Sequence, residues 1–427
     1  MNFPSTMKLL PALIISLLAG NASAAGFQLL EQNASGLGNA YAGSAAVAEN
    51  ASTIFYNPAG MTQLKDRELS TGLVAVGTSF KFNDTGSSVG FLTGTGTGGN
   101  GGGWGFIPNA YMSWALNKDL YVGLGVGAPF GLKTEYDNPW VGAAQATLFD
   151  VKTYNINPSV AYKVNDQVSV GAGLNWQRLT AEYLRQVAVV SQVTSVSPLA
   201  LDLSGDSWGW NVGALFTVSP ATKVGVSYRS TVKYDLTGDI NIIGPSAELN
   251  AKRSSGAKAS LDLPDTFILS GTHQLSDKVQ LLGDISWTGW SSIPKLDVIR
   301  TSGPDAGNTA QTLDTDFRDT TRVAVGVNYQ YRGDLKLKFG LAYDQTPVKG
   351  ASTRLVSLPD NDRTWLSAGA QWTVGKGAII DAGATYLLVN NSQIDNDQTQ
   401  ITALRGRVTG EYEANAWIFG LQYSRAF

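Results

Sequence analysis

The 427-residue chain has no cysteine. That excludes disulfides, thiolate metal sites and thiol catalysis, and it fits an exported protein that avoids oxidative pairing. It has one histidine, His273. A single imidazole beside Leu275-Ser276-Asp277 gives a transition-metal site or a Ser-His-Asp triad little to build on, and it reads as a solvated residue near a strand end. No catalytic residue, metal site or cofactor is expected. Charge is sparse, with 15% Asp, Glu, Lys and Arg and a net charge of −3, so nothing points to nucleic acid as a partner. Beyond the N-terminus there is no apolar run of the ~18 residues that a membrane helix needs. What is abundant is glycine, at 48 residues, and aromatic residues, at 10%.

The N-terminus has the three parts of a secretory signal. Lys8 supplies the positive charge, Leu9 to Leu18 the apolar stretch, and Ala22-Ser23-Ala24 the small-residue cleavage site. Met7 is an alternative start. The expected mature chain begins at Ala25, which sets three regions: a leader over 1–24, a segment over 25–66 and the remainder, 67–427. The middle segment, AGFQLLEQNASGLGNAYAGSAAVAENASTIFYNPAGMTQL and the residues just after it, is rich in Gly, Ala, Ser and Asn and ends in an Asn57-Pro58-Ala59 turn.

From Arg67 onward the dominant period is two. Val168, Val170, Ala172, Leu174 and Trp176 alternate with Ser169, Gly171, Gly173, Asn175 and Gln177. Trp208, Trp210, Val212, Ala214, Phe216 and Val218 alternate with Ser207, Gly209, Asn211, Gly213 and Thr217. Such segments are strands with one apolar face and one small or polar face. Fourteen can be counted, with short turns at Asn117-Lys118, Asn165-Asp166, Pro220-Ala221, Ser276, Gly333 and Gly375–Gly377, and long loops in the gaps between those turns. Short turns on one side and long loops on the other, with an apolar outside and a polar lumen, describe an outer-membrane barrel. The fold class is therefore all-β: a 14-stranded antiparallel transmembrane β-barrel with 25–66 as a hatch, or plug, inside its lumen. Trp208, Trp210, Trp287, Trp290, Trp365, Trp372, Trp417 and Tyr423 suit interfacial girdles. The loop at Gly94–Gly105 is glycine-rich but has no Lys-Ser/Thr ending, so it is not a nucleotide loop. The loop from Gln186 to Asp206, with Val187, Val189, Val190, Leu199, Leu201 and Leu203, is apolar enough for a landing site or a lid. Trp140–Phe149 has the character of a short amphipathic helix.

The chain resembles the bacterial outer-membrane long-chain fatty-acid transporters, the FadL family. The resemblance rests on Ala25-Gly26-Phe27-Gln28-Leu29, Ser35-Gly36-Leu37-Gly38, Ala40-Tyr41, Asn57-Pro58-Ala59, Phe130-Gly131-Leu132, Tyr228-Arg229-Ser230, Leu263-Pro264, the run DNDRTWLSA from Asp360, and the final Ala426-Phe427. It implies fourteen strands, which agrees with the count, and a hatch whose N-terminus moves to open a path. It also implies an outer groove, a deeper pocket against the N-terminus, and a third strand kinked inward for lateral exit. Here Pro129-Phe130-Gly131 occupies that strand. Proline cannot donate to a ladder and glycine weakens one.

The expected function is passive uptake, across the outer membrane of a Gram-negative bacterium, of long-chain fatty acids or related hydrophobic compounds. The chain is expected to be a monomer among outer-membrane lipids. Two alternatives stand: the same fold carrying aromatic hydrocarbons or esters, and a sealed structural or adhesive barrel. The ligand candidates are Arg185, which has lumen parity and matches the family's carboxylate position, with Phe27, Leu29, Val189, Leu199 and Leu201. The gating candidates are Ala25, Gly26, Phe27, Asn57, Pro58, Ala59, Pro129, Phe130 and Gly131. The family's second cation lies shortly before Phe317-Arg318-Asp319, yet Gly307–Asp316 has no Lys or Arg. Either another cation substitutes or the cargo is less acidic. Arg229, Lys233, Arg318, Arg322 and Asp284 have lumen parity and are expected, with Glu31, to anchor the plug.

Overall fold

A computed structural model describes residues 26–88, 96–188, 196–401 and 403–427. The expected leader, Ala25 and Val189 lie outside those residues. Most of the rest is strand, because the two-residue alternation gives each segment one face for lipid and one for the interior. The first staves are β1 (Arg67–Asp84), β2 (Trp104–Ala115) and β3, which comes in two pieces (Leu120–Gly127 and Gly131–Glu135). Next are β4 (Leu148–Lys163), β5 (Val168–Ala188) and β6 (Val196–Ser219). Four staves in two pieces follow: β7 (Thr222–Arg229, Val232–Ile242), β8 (Ser255–Leu263, Thr266–Ser276), β9 (Val279–Thr288, Lys295–Arg300) and β10 (Thr309–Asp314, Thr320–Arg332). The last are β11 (Leu335–Asp344), β12 (Arg363–Gly375), β13 (Ala378–Val389, Ser392–Asp397) and β14 (Arg407–Ala426). Each stave pairs antiparallel with the next, and β14 pairs with β1 from Glu68↔Ala426 to Asp84↔Gly410, which closes a fourteen-stranded barrel. Closure leaves no sheet edge, as a membrane-spanning sheet requires.

The outside is apolar. Leu124, Val126, Val170, Leu174, Phe216, Val325, Leu341 and Phe419 are exposed there, while Ser169, Asn175 and Gln177 of β5 point inward and are buried. This inversion of a soluble core is what lipid demands. The lumen, however, changes character along its length. Beyond Gln177 the inward residues of β5 become Leu179, Ala181 and Tyr183, and those of β7 become Val232, Tyr234 and Leu236, all packed in one apolar cluster. The expected polar lumen holds for the inner half only.

Several expectations change here. Within the segment from Gln186 to Asp206, the described residues 186–188 and 196–206 are strand, paired in register as far as Ala188↔Val196, and Leu199, Leu201 and Leu203 face inward and are buried; residues 189–195, with Val190, lie outside the described residues. Residues 140–146 form turns, not a helix, around a buried Trp140 whose ring stacks on Tyr136 at 4.3 Å. Trp290 and Trp365 are fully buried and cannot belong to a girdle, whereas Trp208, Trp210, Trp372 and Trp417 are exposed. Lys233 faces outward, pairing with Asp262 at 3.3 Å, because the break after Arg229 shifts the parity of β7. Arg318 lies between the two pieces of β10 and is half exposed beside Asp362.

Residues 26–66 fill the inner lumen. They contain only short helical turns, Leu37–Asn39, Thr53–Tyr56 and Pro58–Gln63, so most of their backbone polar groups need partners elsewhere. The wall supplies many. Arg322 donates to the carbonyl of Ala40 (2.5 Å), Arg229 to that of Phe55 (2.9 Å), and the Ser270 hydroxyl accepts from the amide of Ala45 (3.0 Å). Asn57 donates to the carbonyls of Ala45 (2.7 Å) and Ala214 (3.0 Å) and caps the turn that Pro58 opens. Lys338 is the main charged anchor. It bonds the carbonyl of Ser35 (2.9 Å), Glu49 of the plug (2.7 Å) and Asp381 of the wall (3.2 Å). Burial alone would raise the Glu49 carboxyl, but Lys336 and Lys338 together hold it well below the usual range.

Glycine lets the plug backbone lie against the wall. At Gly340 of β11 a Cβ would collide with the backbone of Asn39 and Ala40. Gly340→Val is therefore expected to leave the barrel folded, read by heat-modifiable gel mobility, while unseating the plug. Planar-bilayer recordings should show steady ion conductance where the parent shows little. A variant as closed as the parent would contradict this packing.

Candidate functional site

Above the plug the inward apolar residues leave a cavity of about 60 Å³. Its walls include Leu179 and Ala181 of β5, Leu203 of β6, Leu236 of β7 and Leu313 of β10, and Phe27 of the plug closes one side. The cross-strand register orders what lies further out. Ala181 faces Leu203, Tyr183 faces Leu201, and Arg185 faces Leu199. Arg185 is thus two inward positions beyond the cavity wall, at the outer end of an apolar slot. Leu199 and Leu201 line this approach rather than the cavity itself.

Arg185 is only 9% exposed. Among the described residues it makes no ion pair or hydrogen bond, and its Nε is buried without a partner. A guanidinium in that state is costly unless something anionic joins it. Arg405, from the loop before β14, lies close enough for the two charges to repel. Arg405 is held by neutral groups, donating to Gln398 (3.1 Å) and Gln311 (3.0 Å). It places a second guanidinium near Arg185, whereas Gly307–Asp316 has no Lys or Arg. That segment instead contributes Gln311, which positions it. No local sequence signal marked Arg405, because its partner is 94 residues away.

The inner side of the cavity is aromatic. The ring of Phe27 packs on Trp290 at 5.0 Å and on Phe130 at 5.9 Å. The plug's first residues also add a short strand to the wall. Leu29 N–H donates to Pro129 (2.8 Å) and Gly131 N–H to Phe27 (2.8 Å), with Gln28 opposite Phe130. Leu29 is buried against Gly131 and does not reach the cavity. Gly26 donates its N–H to Asp360 (2.9 Å), which also holds Arg363 and Thr346. Asp360 was legible in the sequence only as part of a family run, without a role.

The kink at Pro129-Phe130-Gly131 is present. β3 stops at Gly127 and resumes at Gly131, and β2 pairs with it only from Ala110↔Val126 to Ala115↔Tyr121. Outward of Ala110, β2 has no ladder partner on that side among the described residues. This leaves a gap in the wall beside the plug's N-terminal strand. His273 sits exposed near a turn, sharing a hydrogen bond with Thr222 (2.9 Å).

Glu31 is one of the charges expected to anchor the plug. It is fully buried, and neither carboxyl oxygen has a hydrogen-bond partner. Arg363, Arg322 and Asp344 face it from the wall and Tyr41 from the plug. Burial dominates and pushes its carboxyl up from 4.5 to about 7, against the pull of the two arginines.

The family model described as outer membrane protein transport protein (OMPP1/FadL/TodX) matches residues 15–427. Outer membrane protein P1 of Haemophilus influenzae is 31% identical over 455 residues, covering 96% of this chain and 97% of that protein. The long-chain fatty acid transport protein of Salmonella typhi is 29% identical over 444 residues, covering 97% of each. Among solved structures, a Pseudomonas aeruginosa FadL homologue superposes with a TM-score of 0.84 at 24% identity, covering 94% of this chain and 99% of that one. The Pseudomonas putida toluene transporter TodX superposes with a TM-score of 0.70 at 16% identity, over 92% and 98%. The two structural likenesses show the shared fold.

Glu31 gives a pH test of how the plug is seated. A closed state with this carboxyl near 7 binds a proton that a solvated carboxyl near 4.5 releases. Its seating is strongest below about 4.5 and weakens as pH rises to about 7, by on the order of 3 kcal/mol. Plug protection from protease should fall across that window, and Glu31→Gln should remove the dependence. An unchanged pH profile in Glu31→Gln would contradict the assignment.

Proposed function

We propose a function on the premise that the chain belongs to the OMPP1/FadL/TodX family of outer membrane transport proteins: its cargo is a long-chain fatty acid. The family's members are outer-membrane transporters of hydrophobic compounds, and that much holds for this chain. The observation that supports an acid over a hydrocarbon is the buried Arg185 at the outer end of an apolar slot, with Arg405 beside it and no carboxylate to pair with. An uncharged aromatic cargo would leave both charges uncompensated. A fatty acid places its carboxylate between them and its tail toward Phe27, and each buried methylene contributes ~0.8 kcal/mol.

The cavity of about 60 Å³ is too small for a long chain while Phe27 stays in place. Entry of the tail therefore displaces Phe27 and loosens the strand that residues 27–29 form with the kink. The Asp360 contact to Gly26 is the latch that gives way. The tail then leaves sideways through the gap between β2 and β3 into the bilayer. Transport is downhill, and the protein contributes binding and a route. Asn57, Pro58 and Ala59 hold the inner end of the plug to the wall and serve as its fixed point. The protein acts as a monomer, and 1–24 is a leader removed on export.

Arg185→Ala and Arg405→Ala should each weaken binding of oleate to the purified protein by about tenfold or more, the scale of a lost charge-assisted hydrogen bond. Binding of a hydrocarbon of similar length should be unaffected. Equal losses for both ligands would remove the carboxylate role.

A further inference from the structure

The break in β3 frees the backbone of Ala128 from the ladder, yet neither of its polar groups is left bare. Both are taken by one side chain of the plug. Ala128 N–H donates to Gln32 Oε1 (3.1 Å), and Gln32 Nε2 donates to the Ala128 carbonyl (2.7 Å). Gln32 is fully buried, and its carboxamide lies against Gly127, the last residue before the break. A carboxamide therefore plugs the wall gap through one donor and one acceptor to Ala128, while its Nε2 also donates to the plug's own Leu29 carbonyl (3.1 Å).

Two further amides flank that spot. Asn155 of β4 is the ladder partner of Gly127. Asn109 of β2 is the next residue outward from the Ala110↔Val126 pair, on the other side of β3. Each is 2% exposed. Both amide atoms of Asn109 and the Oδ1 of Asn155 are buried without a hydrogen-bond partner. Two strand spacings, about 10 Å, separate the two backbones; Gly127, the Gln32 carboxamide and the Tyr111 hydroxyl lie between them, and the Oδ1 of Asn109 lies over Gly72 of β1. Buried amides without partners are unfavourable, and here they border the gap.

We propose that the place held by the Gln32 carboxamide is a binding site for a protonated carboxylic acid group, which takes it over when the plug moves. The hydrogen-bonding layouts match. The acid carbonyl accepts from Ala128 N–H, and the acid O–H donates to the Ala128 carbonyl, as the carboxamide does. A carboxylate has no proton to donate and would turn a lone pair toward that carbonyl. The flanking amides offer both donors and acceptors and no charge. The site thus favours the neutral acid, which is the form that enters hydrocarbon at the lower cost. The proton comes from lumen water: the carboxylate held by Arg185 and Arg405 takes one from hydronium, leaving water and the neutral acid. Gln32 acts as a tethered imitation of the cargo's head group, so leaving the gap closed and passing cargo are mutually exclusive.

This inference rests on the fatty-acid reading and on exit through the gap. The test is carbon-13 NMR of the detergent-solubilised full chain with palmitate labelled at its carboxyl carbon, at pH 7. The shift of that carbon separates acid from carboxylate. Gln32→Ala vacates the site, and its spectrum should show a bound carboxylate signal, lost with Arg185→Ala, and a bound acid signal. The acid signal should be weaker in the parent, whose own Gln32 carboxamide competes for Ala128, and the difference between the two spectra cancels acid dissolved in the micelle. A carboxylate signal without an acid difference signal overturns this proposal alone. No bound signal of either kind overturns the fatty-acid reading and this proposal with it. Gln32→Glu gives a second test that preserves packing. A thiol reporter introduced by Leu29→Cys in this cysteine-free chain should label at the parent's rate at pH 5, and about tenfold faster at pH 8, each normalised to denatured protein. Equal rates at both pH values would overturn the match between carboxamide and protonated acid.

Discussion

The backbone of residues 26–66 has little regular secondary structure and is sealed inside a closed wall. Each of its buried N–H and C=O groups needs a partner, and strands that spend most of their backbone groups on the ladder offer chiefly side chains. The polar inner half of the lumen meets that demand. Arg322, Arg229, Ser270 and Lys338 reach across it to named carbonyls and amides of the plug, Asn57 of the plug reaches back to the wall carbonyl of Ala214, and glycines such as Gly340 let the two backbones approach. The wall and the plug are therefore one hydrogen-bonded system. Neither the polar residues inside the barrel nor the composition of the plug makes sense without the other.

The same accounting separates the parts that hold from the parts that move. Near Asn57 and Lys338 the plug is tied by several bonds, including the buried Lys338–Glu49 pair. Removing either charge would leave the other stranded. At the N-terminal end no charged side chain of the plug takes part: the ties are two backbone bonds to the kink, one from Gly26 to Asp360, two between Gln28 and the hydroxyls of Thr266 and Thr288, and the aromatic contacts of Phe27. That end abuts the apolar cavity, so it is the attachment that a molecule in the cavity meets first. Two polar stations lie at opposite ends of this region. The outer one is cationic, formed by Arg185 and Arg405. The inner one is neutral, at the break in β3. A head group that begins as an anion and ends in lipid needs both kinds.

Much of the barrel was legible in the sequence because alternation is a local signal. Ser169 to Gln177 against Val168 to Trp176 states both the strand and its inward face. Legibility failed where parity is broken or where a long-range contact decides. Lys233 was placed inside because nothing local marks the shift after Arg229. Leu199, Leu201 and Leu203 have the spacing of a strand, but with Ala200 as well as Asp202 between them the run is apolar enough to suggest a greasy loop. Residue type and a place near a strand end suggest a girdle for Trp290 and Trp365, but neither signal tells an inward ring from an outward one, and both are buried. Arg185 could be found from parity. Arg405 and Gln32 could not, since the first acts through Gln311 and the second through Ala128, both far away in the chain.

The central claim is that the first residues of the plug must leave the kinked strand for cargo to pass. Gln28 and Phe130 are directly opposed, between the Leu29–Pro129 and Gly131–Phe27 bonds, which makes them a non-hydrogen-bonded pair with Cα atoms about 4.5 Å apart, within disulfide reach. The chain has no native cysteine to interfere. The measurement is uptake of labelled oleate by cells that rely on the variant Gln28→Cys, Phe130→Cys, before and after reduction. The account predicts background uptake when the disulfide is formed and recovery when it is reduced. Full uptake through quantitatively oxidised protein would contradict it.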